Sequence, residues 1–218
     1  MDYRLVIFDL DGTLIDTIGD LGAAVNEALA RKGLPGHTSA EYRGMVGHGV
    51  RNLVKKAMPE PMREDEPALD ALLEIFLEYY LAHIDDLSHA YPGIPELLSA
   101  LQAAGIRLAV ASNKFQAGTE KLIRRTFPGV AFAEVCGGQP GRALKPDPAV
   151  VRDIWARTGA RPEETVLVGD SGTDIATARA AGIPCIAVTW GFRPPEALQH
   201  ADRLVRTPAE LLRCLLKE

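Results

Sequence analysis

Apolar residues recur along the chain in short runs that alternate with helical patterns. Runs typical of buried strands occupy Leu5–Phe8, Arg107–Ala111, Val130–Cys136, Thr165–Val168, Cys185–Val188 and Arg203–Val205. Helical periodicity predicts helices at Pro95–Ala104, Ala117–Thr126, Pro148–Thr158, Thr173–Ala181 and Pro208–Leu216. The alternation predicts an α/β fold, with a Rossmann-like three-layer core and a mostly parallel sheet.

The strand pattern disappears after the first predicted strand and returns only near Tyr91. Helical stripes remain in between, such as Leu21, Val25 and Leu29. We therefore expect an all-helical cap domain at residues 16–90, with residues 1–15 and 91–218 forming the core. An insertion at this point would lie next to the carboxyl end of the first strand and could close over it.

Composition and charge narrow the class of protein. The 218 residues are 47% hydrophobic and 24% charged, with a net charge of −5, as in an ordinary folded protein. No run of Lys or Arg could neutralise successive phosphates, so we expect no nucleic-acid partner. The N-terminal apolar run is too short for a signal peptide or a membrane span, which favours a cytoplasmic protein with no membrane partner. We expect a monomer or weak homodimer.

Polar residues follow four of the apolar runs or the turns after them. They are Asp9-Leu10-Asp11-Gly12-Thr13, Ser112-Asn113-Lys114, Lys145 between Leu144 and Pro146, and Gly169-Asp170-Ser171-Gly172-Thr173-Asp174. Because the carboxyl ends of parallel strands meet at one edge of a sheet, we expect these groups to converge. Each motif alone can be explained without a functional role, since Ser-Asn is usually a turn and an isolated lysine is usually solvated. Coincidence at all four positions is improbable.

The residue types suggest phosphate chemistry. Asp9 and Asp11 can face the same side of an extended chain and hold a divalent cation. Gly12 permits backbone N–H groups to approach an anion, and the Ser112 hydroxyl and Asn113 amide can donate hydrogen bonds to phosphate oxygens.

In this order the four motifs resemble those of the haloacid dehalogenase superfamily of phosphohydrolases, over nearly the whole chain. The resemblance implies that Asp9 is the nucleophile and Asp11 the general acid and then base. It implies that Ser112 and Lys145 bind phosphate. It also implies a Mg²⁺ cofactor with Asp9, the Asp11 backbone and Asp170 as ligands, supported through water by Asp174.

Further segments resemble the bacterial phosphoglycolate phosphatases within that superfamily, namely Val46-Gly47-His48-Gly49-Val50, Gly137-Gly138 and Thr189-Trp190-Gly191-Phe192. The resemblance suggests 2-phosphoglycolate as the preferred small phosphomonoester. His48 or Arg51 is the cap candidate for a substrate carboxylate, although a structural loop is the favoured interpretation of His48. Ser112 replaces the more usual threonine of that family and keeps the hydroxyl.

Other functions fit parts of the pattern. A pyrophosphatase or a broad sugar-phosphate phosphatase would use the same core motifs. A receiver domain of phosphorelay signalling also combines a phosphorylatable Asp with a Ser or Thr and a Lys. The receiver is disfavoured because the first strand ends in Asp-x-Asp, the chain is long, and a cap-like insertion follows at once.

Overall fold

The computed structural model describes residues 3–217 and consists of a parallel sheet with flanking helices and a helical insertion. In chain order the strands are β1 (Leu5–Phe8), β2 (Ile15–Asp16), β3 (His89–Ala90), β4 (Arg107–Phe115), β5 (Phe132–Gly138), β6 (Thr165–Gly169), β7 (Cys185–Val188) and β8 (Arg203–Val205). The α-helices are α1 (Ile18–Arg31), α2 (Ser39–Met45), α3 (Val50–Ala57), α4 (Glu66–Ala82), α5 (Ile94–Ala103), α6 (Gln116–Thr126), α7 (Ala149–Thr158), α8 (Gly172–Ala181) and α9 (Pro208–Leu216).

The main sheet has the order β5-β4-β1-β6-β7-β8, and all of its neighbouring strands pair in parallel. The strand order reverses on the two sides of β1, so β1 lies at the centre between β4 and β6. A ligand site is expected at such a reversal, beyond the carboxyl ends of the strands. The predicted α/β fold with a mostly parallel sheet is confirmed.

Both faces of the sheet are covered by helices, which makes the three layers. Val6 and Phe8 of β1 pack in a core that includes residues of α5, α6 and α9, whereas Leu5 and Ile7 point into a second core with α7 and α8. All four of these β1 side chains are fully buried. A strand buried on both faces reads as a continuous apolar run, which explains why β1 was recognisable from the sequence.

Helices α1 to α4 occupy the segment where the strand pattern disappears. The connections to this segment pair with each other through β2 and β3, a short antiparallel ladder that the sequence pattern did not reveal. The buried carboxylate of Asp20 reinforces the junction, because it accepts the backbone N–H groups of Leu87 and Ser88 at 3.0 and 2.7 Å. Entry and exit of the helical segment are thus fixed side by side, next to the carboxyl end of β1.

Two details of the core differ from the sequence prediction. Strand β4 continues past Ala111 through Ser112, Asn113 and Lys114, so these residues are the end of a strand and not a turn. Strand β5 begins at Phe132, because the Val130 N–H bonds back to the carbonyl of Phe127.

No helix within residues 3–217 is both long and apolar enough to cross a bilayer. The three cysteines are free thiols.

Candidate active site

A cleft lies between the carboxyl edge of the sheet and the helical insertion. Its core side is formed by polar groups from four separate segments, and the insertion adds apolar residues of α1, α3 and α4. The polar lining includes Asp9, Asp11, Ser112, Asn113, Lys114, Lys145 and Asp170. The convergence expected from the strand ends is therefore present in the fold.

Lys145 links Asp9 to Asp174. Its Nζ lies 2.9 Å from Asp9 Oδ1 and 2.6 Å from Asp174 Oδ1, and its side chain is only 3% exposed. Burial alone would lower the pKa of Lys145, but Asp174 and Asp9 outweigh it and the pKa is raised. The ammonium is therefore charged at neutral pH and lies beside Asp9.

The Asp9 carboxylate is oriented at the end of β1 by two donors. The N–H of Leu10 donates to Asp9 Oδ1 at 2.7 Å, and Lys145 contacts the same oxygen. Burial raises the pKa of Asp9 well above its usual range, and Asp174 raises it further. The surroundings of Asp9 thus disfavour its ionised form, and Lys145 offsets part of this effect.

Asp9, Asp170 and Asp174 each offer a carboxylate oxygen, and these atoms lie within 4.8 Å of one another. Burial first, and then Asp174, raise the pKa of Asp170 to about 7. Clustered carboxylate oxygens of this kind suit a hard divalent cation such as Mg²⁺, which would relieve their mutual repulsion. The donor set therefore fits a Mg²⁺ site.

Asp174 differs from the other two because both of its carboxylate oxygens have protein partners. Oδ1 contacts Lys145, and Oδ2 accepts the hydroxyl and the N–H of Ser171, at 2.5 and 3.2 Å. Ser171 is the N-cap of α8, and the reciprocal bonds with Asp174 form a capping box. The helix start that the sequence indicated thus fixes the orientation of a carboxylate at the site.

Asp11 points to a different part of the cleft from the three clustered carboxylates. Its Oδ1 accepts the Thr17 hydroxyl at 2.7 Å and lies 3.0 Å from Lys114 Nζ. The carboxylate remains 12% exposed. Asp11 is therefore oriented and still accessible from the cleft, as a group that exchanges protons with a substrate must be.

Ser112 and Asn113 lie together at the end of β4 but have different surroundings. Ser112 lines the cleft, and its oxygen accepts the N–H of Lys114 at 3.1 Å, which leaves its proton available for donation. The side-chain amide of Asn113 hydrogen-bonds backbone groups. Its Oδ1 accepts the Lys145 N–H at 2.8 Å, and its Nδ2 donates to the carbonyls of Lys145 and Gly47 at 2.9 Å each. The Asn113 side chain thus holds Lys145 and touches the insertion.

Gly12 lies directly against the Asp170 side chain. Its N–H donates to the carbonyl of Ile15 at 2.9 Å, so this group is engaged within the loop. Its φ is +86°, and a Cβ at this position would be 2.4 Å from Asp170 Oδ2. Glycine is required here because the backbone turns through a left-handed conformation directly against Asp170.

The structure does not bring the two cap candidates into the cleft. Arg51 projects from α3 and forms ion pairs with Glu66 and Asp70, all of them exposed to solvent. His48 is exposed, while the cleft is lined by its neighbours Gly47 and Gly49. Partial desolvation of this largely exposed ring, followed by the charges of Lys56 and Arg193, lowers the pKa of His48.

Sequence reasoning missed two basic residues of the cleft. Lys114 lies beneath the Tyr80 ring of α4, with Nζ 4.8 Å from the ring centroid, and Arg193 donates to the carbonyls of Arg43 and Val46 in the insertion. The adjacent Phe192 N–H donates to Asp170 Oδ2 at 2.6 Å. Lys114 was within reach of prediction, since it follows Ser112 and Asn113 in the same motif.

A family model described as haloacid dehalogenase-like hydrolase matches residues 6–188. Among curated relatives, a phosphoglycolate phosphatase of Mesorhizobium japonicum is 37% identical over 97% of each chain. Phosphoglycolate phosphatase 1 of Pseudomonas aeruginosa is 35% identical over 97% of this chain and 79% of its own. The similarity covers the core and the helical insertion together.

Solved structures give the same relationship. A predicted phosphoglycolate phosphatase of Haemophilus somnus superimposes with a TM-score of 0.90, at 29% identity over 98% of both chains. CbbY of Rhodobacter sphaeroides, solved with bound phosphate, superimposes with a TM-score of 0.77 at 29% identity over 96% of both chains. The matched family consists of hydrolases, so the phosphorelay receiver is no longer needed as an explanation.

Proposed function

Because the chain belongs to the haloacid dehalogenase-like hydrolases, we propose that it is a Mg²⁺-dependent phosphatase that hydrolyses 2-phosphoglycolate through a phosphorylated Asp9. The substrate proposal rests above all on the Mesorhizobium phosphoglycolate phosphatase, whose similarity extends over 97% of each chain. The mechanism rests on the convergence of Asp9, Asp11 and Lys145 in one cleft.

Asp9 acts as the nucleophile. Leu10 and Lys145 engage its Oδ1, so the carboxylate is held in one orientation at the end of β1. Lys145 and the Ser112 hydroxyl bind the phosphate oxygens, because both lie in the same cleft as Asp9. Two unit charges 4 Å apart interact by about 4 kcal/mol at an effective dielectric of about 20, so a carboxylate needs cations to approach a phosphate dianion.

Asp9, Asp170 and the Asp11 backbone would hold Mg²⁺, with Asp174 supporting it through water. A bound Mg²⁺ would neutralise part of the negative charge on the phosphate oxygens and on Asp9 as they approach. Asp174 positions Lys145 in addition, through their 2.6 Å contact. Charge compensation is thus divided between the metal and the buried ammonium.

Two displacements complete the reaction. In the first, an Asp9 oxygen bonds to phosphorus, the ester P–O bond breaks, and Asp11 donates its proton to the departing alkoxide. In the second, Asp11 takes a proton from water as the water oxygen bonds to phosphorus, and Asp9 leaves as a carboxylate. Thr17 and Lys114 keep Asp11 oriented for both transfers.

The test is phosphate release from 2-phosphoglycolate beside sugar phosphates, nucleotides and pyrophosphate, with Mg²⁺ or with EDTA. Xylulose 1,5-bisphosphate belongs in the panel because a variant of CbbY, whose solved chain is 26% identical to this one, has been crystallised with it. Asp9→Asn removes the nucleophile and should abolish turnover, while Asp16→Asn, at the start of the insertion, should retain it. Mass spectrometry of acid-quenched enzyme should find a phosphoryl group on the peptide that contains Asp9.

The outcomes separate mechanism from substrate. Preference for 2-phosphoglycolate that requires both Mg²⁺ and Asp9 supports the whole proposal. Metal-dependent turnover of another ester keeps the mechanism and rejects the substrate. Undiminished activity of Asp9→Asn rejects the phosphorylated intermediate.

A further inference from the structure

A lysine that the proposed reaction uses only to orient Asp11 has the position of a substrate-binding group. We propose that Lys114 binds the carboxylate of the leaving group and so selects phosphomonoesters of small hydroxy acids over neutral esters. This inference rests on the proposed function and adds the residue that reads the organic part of the substrate. It assigns to the core a role that the cap residues were expected to fill.

Burial of Lys114 is the first observation. Its side chain is 2% exposed, yet it lines the cleft, and its charged end lies between Asp11 and the Tyr80 ring. A buried ammonium is costly unless it has anionic partners and hydrogen-bond acceptors. Among residues 3–217, Asp11 is the carboxylate that it contacts, so one negative group serves this cation.

Spare donor capacity is the second observation. An ammonium has three N–H donors, and Asp11 and the Tyr80 ring account for two of its directions. The Asp11 carboxylate that contacts Lys114 also accepts a hydrogen bond from the Thr17 hydroxyl. An incoming carboxylate could therefore be received without breaking the contact that orients Asp11.

The distances suit a carboxylate one methylene away from the ester oxygen. In 2-phosphoglycolate the carboxylate oxygens lie about 3 Å from the ester oxygen, as ordinary bond lengths require. The ester oxygen must lie within hydrogen-bond reach of Asp11, and Lys114 Nζ lies 3.0 Å from Asp11 Oδ1. The carboxylate of a bound substrate is thereby brought to the neighbourhood of Lys114.

The other basic residues near the cleft are committed elsewhere. Lys145 contacts Asp9 and Asp174, and Arg193 donates to two carbonyls of the insertion. Arg51 pairs with acidic residues on the outer surface of the cap. The rest of the insertion's lining is largely apolar, including Leu21, Leu53 and Phe76. The cleft thus has an apolar wall from the insertion and one cation, Lys114, beside the proposed acid and base Asp11. This combination favours a short leaving group that carries a carboxylate.

The experiment compares 2-phosphoglycolate with 2-phosphoglycolamide, a neutral analogue of nearly the same shape, by kcat/KM. Wild type should prefer the acid, and Lys114→Met should lower kcat/KM for the acid about tenfold to a hundredfold more than for the amide, as expected for loss of a charge-assisted hydrogen bond. Lys114→Arg, which keeps the charge, should retain more of the preference. Lys32→Met, at an exposed position of the helical insertion just after α1, is the matched control.

The ratio of the two rates is decisive because any effect on Asp11 acts on both esters. Equal losses on acid and amide in Lys114→Met would make the residue a positioning group for Asp11 and overturn the proposal. Lys114→Gln repeats the comparison if the methionine variant does not fold, and failure of both to fold would assign Lys114 to stability and also overturn it. A wild type that hydrolyses acid and amide equally rejects this inference alone, whereas one that hydrolyses neither rejects the proposed substrate.

Discussion

Replacing Asp170 by asparagine should inactivate the enzyme and also stabilise its metal-free form at neutral pH. Asp170 is 3% exposed, and burial and the neighbouring Asp174 raise its pKa from 3.8 to about 7. The folded protein therefore holds this proton more tightly than the unfolded chain does. The resulting penalty is absent below about pH 4 and grows as the pH rises through the interval up to about 7.

The size of the penalty follows from that interval. A difference between 3.8 and about 7 corresponds to about 4 kcal/mol, at about 1.36 kcal/mol for each pH unit. Asp9 and Asp174 belong to the same cluster and share the repulsion, so we expect about 2 to 4 kcal/mol to be recovered by Asp170→Asn. The asparagine carbonyl oxygen can still accept the Phe192 N–H, so that contact is kept.

Urea unfolding followed by circular dichroism at pH 5 and pH 8, in EDTA, measures the effect. In EDTA, the stability advantage of Asp170→Asn over wild type should widen toward pH 8. In a separate measurement with Mg²⁺ in place of EDTA, the metal should stabilise wild type more than the variant. Asp153→Asn, which removes a partly exposed ion pair with Arg142, should show no such widening. An advantage that is the same at both pH values, or a variant less stable than wild type at pH 8, would refute the reasoning.

Three further substitutions test separate parts of the site. Gly12→Ala should destabilise the fold by about 1 to 3 kcal/mol in urea unfolding and lower kcat, because its Cβ would meet Asp170 and φ is +86°. Arg51→Ala should leave kcat/KM within about twofold and the urea-unfolding midpoint unchanged, since its ion pairs are exposed; a tenfold rise in KM would restore Arg51 as a specificity residue. Asn113→Ala should lower kcat/KM about tenfold by releasing Lys145, and unchanged kinetics would contradict that coupling.

Most of the core could be predicted because its strands carry a simple signal. The β1 run Leu5–Phe8 is buried on both faces, and β6 and β7 have the same character, so continuous apolar stretches marked them. The ladder of β2 and β3 escaped notice because each strand has two residues, too few for a period to be visible. Likewise β4 continues through three polar residues, where the pattern of hydrophobicity indicates a turn.

The site was predictable where topology alone brings residues together. Asp9 and Asp170 follow β1 and β6, and Ser112 lies near the carboxyl end of β4. These three strands are adjacent in the sheet, so the convergence of the residues needs only the strand order. The direction of a side chain is decided by local contacts that no spacing encodes. Arg51 turns outward because Glu66 and Asp70 lie one helix away on the same surface.

Contacts between the core and the insertion depend heavily on backbone carbonyls, which explains why they were invisible in the sequence. Arg193 donates to the carbonyls of Arg43 and Val46, and Asn113 donates to that of Gly47. Each of these core residues is also tied to the reaction site: the neighbour of Arg193, Phe192, bonds Asp170, while Asn113 bonds the backbone of Lys145. The α2–α3 connection is therefore linked by hydrogen bonds to the segments that carry the candidate metal ligand Asp170 and the proposed phosphate-binding residue Lys145. If the insertion closes over a substrate, we expect these contacts to couple that closure to the placement of the charged groups.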